Sequence, residues 1–168
     1  LGIERQDNAL QERLAQSVEF AVRVDDGGIK LPDFHTVLAA RKVDGKPNPN
    51  PVVSRREHLY GAAFTVAIGS AADAAISLDT IGKAVCHPLY TPVLGRRSCA
   101  LAAPLFAGWR EAADLKAALD QDRGPGAIYV EGNAWGNGRP LELRDVPMRG
   151  GHRRFGKRRI YLLGKGEA

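Results

Sequence analysis

From residue 18 to residue 25 the chain alternates without a break. Val18, Phe20, Val22 and Val24 interleave with Glu19, Ala21, Arg23 and Asp25. A period of two sends successive side chains to opposite faces, so this stretch predicts a strand with one buried face. Asp25-Asp-Gly-Gly then ends it with turn chemistry. The pattern returns from Leu59 to Ile68, with Phe64, Val66 and Ile68 on one face and Ala63, Thr65 and Ala67 on the other. Strands of this kind need covering elements, and helical patterns lie nearby. Asp7 is placed to cap a short helix carrying Leu10 and Leu14 on one face, within a stretch from Leu1 to Gln16 that opens on the end of another helix. Ser77 is placed to cap a second helix, carrying Leu78, Ile81 and Val85, which Pro88 closes. Further on, Pro104–Trp109 reads as extended, Ala112–Leu119 as helical, and Ala127–Val130 and Ile160–Leu163 as strands. The fold class is α+β.

Between the two alternations, Ile29 to His58 is the least regular region. Lys46-Pro-Asn-Pro-Asn-Pro carries prolines at alternate positions, which forbid a helix and central-strand pairing. Arg41, Lys42, Arg55 and Arg56 flank it. The region reads as a basic, proline-tipped excursion, with a disordered loop as the plainer alternative; both hold where such a segment orders only on binding. The turn-rich Gly132-Asn-Ala-Trp-Gly-Asn-Gly has no phosphate-loop spacing and reads as a surface connection.

The most informative loop is Pro88-Leu-Tyr-Thr-Pro-Val-Leu-Gly-Arg-Arg-Ser-Cys-Ala-Leu101. Pro88 and Pro92 confine it to extended conformations. Gly95 offers a backbone position without a Cβ, where another chain can approach closely. Next come Arg96 and Arg97, whose planar forks fit phosphate oxygens, and Ser98, which adds a hydroxyl donor. Tyr90 is the ring that can stack on an unpaired base. Residue types in this order describe a clamp for phosphates and bases. An exposed turn whose arginines pair with carboxylates of the same domain is the plainer alternative.

Tyr90-Thr-Pro-Val-Leu-Gly-Arg-Arg-Ser-Cys99, continued by Ala-Leu-Ala-Ala-Pro-Leu-Phe-Ala-Gly108, resembles the signature of the CasD family. These are subtype I-E CRISPR Cascade subunits, of the RAMP superfamily, that hold the crRNA 5′ handle. Leu1-Gly-Ile-Glu-Arg, Ser17-Val-Glu-Phe-Ala-Val-Arg, Phe34-His-Thr-Val-Leu-Ala-Ala-Arg, Phe64-Thr-Val-Ala and Arg144-Asp-Val-Pro-Met also match family runs. Val93 stands where many members carry an aromatic. The resemblance implies a β-α-β-β-α-β, ferredoxin-like (RRM-like) domain over residues 1–168, with the family's first strand and most of its first helix absent from this chain. It implies that residues 29–58 are a thumb, a hairpin reaching to a neighbouring backbone subunit and the crRNA. On that reading Arg56 at the thumb base contacts RNA, and His35, Thr36 and Arg41 face RNA or the adjacent subunit. The implied partners are crRNA, the backbone subunit and the large subunit, with target DNA met only indirectly.

Charge adds a second candidate surface. The net charge is +5, yet residues 144–168 hold eight Arg or Lys against Asp145 and Glu167, so the excess lies in this segment. Arg153, Arg154, Arg158 and Arg159 are its candidates for phosphate neutralisation, the alternative being a solvated, solubilising tail. A hydrophobic share of 44% suits one soluble domain with a core, and no apolar run approaches a membrane span. Cys86 and Cys99 form no C-x-x-C pair and have no histidine at ligand spacing. They read as packed thiols of a reducing cytoplasm, and no metal or cofactor is expected.

The rival class is a metal-independent endoribonuclease that processes precursor crRNA. It needs a base and a cation within reach of one phosphate. His35, His58, His87 and His152 are the imidazoles available, with Tyr60 or Tyr90, and no lysine adjoins any of the four histidines. His35 reads as a thumb residue, His58 and His152 as surface residues, and His87 as a helix-end residue in a favourable dipole. No acid–base–nucleophile pattern surrounds Ser98 and Cys99. The expectation is a non-catalytic RNA-binding protein.

Overall fold

Asp7 starts the first helix as its side chain predicts, with its carboxylate accepting from Leu10 N–H at 2.9 Å. The computed structural model describes residues 1–4, 6–96, 98–121, 124, 126–132, 135, 138–148 and 154–164. Their order is α1 (Asn8–Ser17), β1 (Val18–Asp26), β2 (Ile29–Val37), β3 (Val52–Tyr60), β4 (Ala63–Ser70), α2 (Leu78–Cys86), α3 (Leu115–Asp120), β5 (Ile128–Glu131), β6 (Arg139–Met148) and β7 (Arg154–Leu163). The fold is α+β.

One sheet runs in the order β4-β1-β5-β7-β6, and a second consists of β2 and β3 alone. The β1–β5, β5–β7 and β6–β7 pairings are antiparallel. By contact density the chain divides into one unit of residues 1–23 and 65–168, and a second of residues 24–64.

In the first unit the core gathers Ala21, Leu115, Leu119, Ile128 and Val130, with Ala67, Trp135 and Leu163 packed against it. Burial on β1 differs from the expected pattern. The deeply buried positions are Ala21 and Arg23, while Phe20, Val22 and Val24 are half-buried. A small side chain lets α3 sit close, and the guanidinium of Arg23 fills the remaining depth. Only 5% exposed, Arg23 donates through Nη1 to the carbonyl of Leu119, at the last turn of α3, and through Nη2 to Thr65 Oγ1 at 3.3 Å. A cation meets the negative end of a helix there.

The alternation from Leu59 to Ile68 becomes two strands. Gly61, at φ 70°, turns the chain between Tyr60 and Ala63. The apolar face of β4, made by Phe64, Val66 and Ile68, is exposed among the described residues. Pro104–Trp109 forms no strand; Trp109 instead lies across α2 at Gly82, where a Cβ would stand 2.5 Å from the indole. Pattern reading missed β2, most of β3, and β6. In β6 the cause is local. Pro140, Pro147 and its charges obscure a period of two, and prolines are tolerated because β6 is an edge strand.

Ser17 is fully buried where α1 passes into β1. Its hydroxyl donates to the carbonyl of Arg13 at 2.6 Å and accepts from Ala75 N–H and Ile76 N–H, both at 3.0 Å. Ser17→Ala strands two amides just before α2. The expected loss is about 1–3 kcal/mol, the cost of leaving buried donors unsatisfied, read as a lower urea midpoint at unchanged slope.

Candidate nucleic-acid interface

The signature loop is launched by α2. Ser77 Oγ accepts from Thr80 N–H at 3.2 Å at its start, and His87 N–H donates to the carbonyl of Lys83 at 2.9 Å at its end. Pro88 then prevents another turn. Within the loop, Val93 and Ala100 form an antiparallel bridge. Leu94 N–H donates to the carbonyl of Cys99 and Cys99 N–H to that of Arg96, both at 2.9 Å. Gly95 has φ 81°, a left-handed conformation that disfavours any side chain, and nothing lies within 4 Å of where its Cβ would be. The loop is therefore a closed turn with an open backbone flank beside Arg96 and Ser98. Arg96 is half-buried and Ser98 exposed; Arg97 lies outside the described residues.

Tyr90, 68% exposed, precedes this turn. Between α2 and the loop lies an open apolar hollow of about 480 Å³, lined in part by Val85, Cys86, Pro92, Leu101 and Phe106. Cys86 is exposed there and Cys99 half-buried, so the expectation of two packed thiols fails for Cys86.

The second unit is a hairpin whose β2–β3 register pairs Ile29 with Tyr60 and Val37 with Val52. Directly paired residues share a face, so Asp33, His35, Ser54, Arg56 and His58 fall on one side, and Phe34, Thr36, Val53 and Arg55 on the other. His35 and Arg56 are thus brought to one face, and Thr36 is not. Asp33 Oδ2 stands 3.9 Å from His35 Nδ1 and 3.6 Å from His58 Nε2. On the opposite face the guanidinium of Arg55 lies 4.8 Å from the Phe34 ring centroid. At the tip Arg41 bridges Pro47, and Asn48 N–H donates to the carbonyl of Ala40 at 2.8 Å. The proline tract accordingly closes a defined turn.

The basic C-terminal segment is less basic than its composition. Arg158 is committed inside the unit. Its Nε and Nη2 each donate to Asp145 at 2.7 Å, Nη1 is 3.4 Å from Glu131, and the guanidinium lies 5.0 Å from the Phe20 ring centroid. It is a structural ligand of two carboxylates and drops out as a phosphate contact. Lys157 is likewise paired with Glu142. These bonds raise the affinity of Arg158 for its proton and hold the Asp145 and Glu142 carboxyls below their ordinary range, through Arg158 and Lys157 respectively. Arg154 and Arg159 remain exposed on β7; Arg153 and His152 lie outside the described residues.

With this geometry in place, the chain can be set beside known proteins. The family model described as "CRISPR-associated protein (Cas_Cas5)" matches residues 1–161. The chain belongs to this family. It is 39% identical over 173 residues to the CRISPR system Cascade subunit CasD of Escherichia coli K12, a match covering 97% of this chain and 77% of that protein. Among solved structures it is similar to a chain of a CRISPR RNA-guided surveillance complex, with TM-score 0.66 and 25% identity over 89% of this chain and 68% of that one. The resemblance carried by the signature loop is borne out.

Two features of the interface were out of reach of sequence reading. The Phe34–Arg55 stack and the sharing of Asp33 by two histidines both depend on cross-strand register, and a long loop conceals it. Among the described residues, no three His, Cys, Asp or Glu are grouped to hold a metal ion. Nor is any helix long and apolar enough to cross a membrane.

The Asp145–Arg158 pair yields a pH prediction. A carboxyl held below its unfolded value of about 3.9 stabilises the fold above that pH, and the contribution is lost as pH falls through the lower folded value. Between roughly pH 5 and pH 2, the urea midpoint should fall more steeply for the parent than for Asp145→Asn. Added salt should narrow the difference, because the pair is partly exposed.

Proposed function

We propose that this chain is a non-catalytic RNA-binding subunit of a type I-E CRISPR surveillance complex, gripping the 5′ handle of a mature crRNA and capping one end of the backbone. The observation that carries the reading is the turn at Gly95. Its left-handed backbone and open flank sit directly before Arg96 and Ser98, in a chain whose relatives are named as a Cascade subunit and as part of an RNA-guided surveillance complex. A phosphate can approach a backbone without a Cβ while guanidinium and hydroxyl donors meet its oxygens. Tyr90 is exposed and supplies the stacking surface, worth about 1–3 kcal/mol for one base.

In this reading residues 1–168 form one RRM-like domain, and residues 29–58 are a thumb. Arg56 and His35 present one face of that thumb to RNA, with Thr36 on the other and Arg41 at the tip. Arg153 and Arg154 add further phosphate neutralisation. The partners are crRNA, the backbone subunit and the large subunit, in the cytoplasm, with target DNA engaged indirectly. Metal-independent cleavage is the weaker reading, since Pro88 to Leu101 holds neither histidine nor lysine.

The test is the double variant Arg96→Ala, Arg97→Ala. If each guanidinium neutralises one phosphate, the slope of log affinity against log salt for single-stranded RNA flattens by about 1.4, and affinity drops. Unchanged affinity and slope overturn the assignment. Incubation with labelled precursor crRNA in a chelator should leave it intact; cleavage there would establish the rival reading.

A further inference from the structure

We propose that Phe34 and Arg55 form a stacking seat for one unpaired nucleobase on the hairpin; this rests on the RNA-binding reading above and adds a site to it. The register sets Phe34 directly opposite Arg55, and the guanidinium carbon lies 4.8 Å from the ring centroid. That is within cation–π range, so the guanidinium already lies over an aromatic surface. The ring nonetheless stays 61% exposed, and Arg55 is itself exposed. Pro32 and Glu57 form the neighbouring pair on one side of the seat, Thr36 and Val53 on the other.

The chemistry of the seat selects its occupant. Among the described residues Arg55 has no carboxylate partner, whereas Lys30, on the same face, is paired with Glu57 at 3.5 Å. An apolar protein side chain docked here would cover Phe34 but desolvate a guanidinium without supplying an anion. A bare phosphate would engage Arg55 and leave Phe34 in water. A nucleotide satisfies both, because its base stacks on the ring or on the guanidinium plane while its phosphate takes the N–H edge. The opposite face has a carboxylate, Asp33, at its centre, and its exposed aromatic, Tyr60, stands opposite Ile29 rather than a guanidinium. The pairing of a ring with a guanidinium therefore belongs to the Phe34 face.

The experiment uses the full chain and a series of single-stranded RNAs, each with 2-aminopurine at a different position. Stacking on the seat should quench the probe at one position. Phe34→Leu, which keeps an apolar strand residue, should abolish that quenching and weaken binding about tenfold. Phe34→Trp should retain both. Arg55→Lys keeps the charge but loses the plane, and should also reduce quenching. Parent-like quenching and affinity in Phe34→Leu overturn the proposal, as does a parent-like Arg55→Lys. The Arg96→Ala, Arg97→Ala variant separates the two levels. If it weakens binding while Phe34→Leu does not, the seat is wrong and the loop assignment stands. If the parent chain binds none of these RNAs, both fall.

Discussion

A single hydroxyl sets the geometry on which the candidate interface rests. Ser17 uses its one donor and both acceptor positions, tying the end of α1 to the amides of Ala75 and Ile76. Its own carbonyl accepts from Ala71 N–H at 3.1 Å. The segment entering α2 is thereby pinned to the start of β1, and the far end of α2 delivers the signature loop. Trp109, seated on Gly82, returns the chain to the same helix after the loop. Two small residues, Ser17 and Gly82, therefore hold α2 as the platform from which the signature loop leaves.

Four arginines show how context assigns different work to one side chain. Arg23 is buried and spends its donors on a helix-end carbonyl and a hydroxyl, joining α3 to the sheet. Arg158 is held by Asp145 and Glu131 and fixes β6 against β7. Arg55 lies on an aromatic ring at the surface, and Arg96 sits beside a left-handed glycine. Of the four, the last two are the ones proposed above to meet RNA. Counting charges in residues 144–168 does not reveal that two of its cations are paired within the unit, Arg158 with Asp145 and Lys157 with Glu142.

Local chemistry was legible wherever one residue decides the outcome. Asp7 and Ser77 cap their helices as expected, Pro88 follows the end of α2, and Gly95 takes a backbone angle that other residues resist. The CasD-like signature was legible because it is continuous in sequence. What failed were inferences about which face is buried. On β1 the apolar alternation pointed to Phe20 and Val22, yet Ala21 and Arg23 lie deepest, because α3 packs on their side. Strand β6 escaped notice because its partner supplies the pairing and its prolines are harmless only at an edge.

The sequence by itself determined the α+β class, the helix caps, the proline-bounded loop with its guanidiniums, and membership of the family. Each follows from short-range sterics and hydrogen bonding or from an unbroken run of residues. Tertiary structure alone decided which arginines are consumed by carboxylates, which side of each strand is covered, and that Phe34 meets Arg55 across the hairpin. Those outcomes depend on register and packing between residues far apart in the chain, and a shift of one position would send every such side chain to the other face.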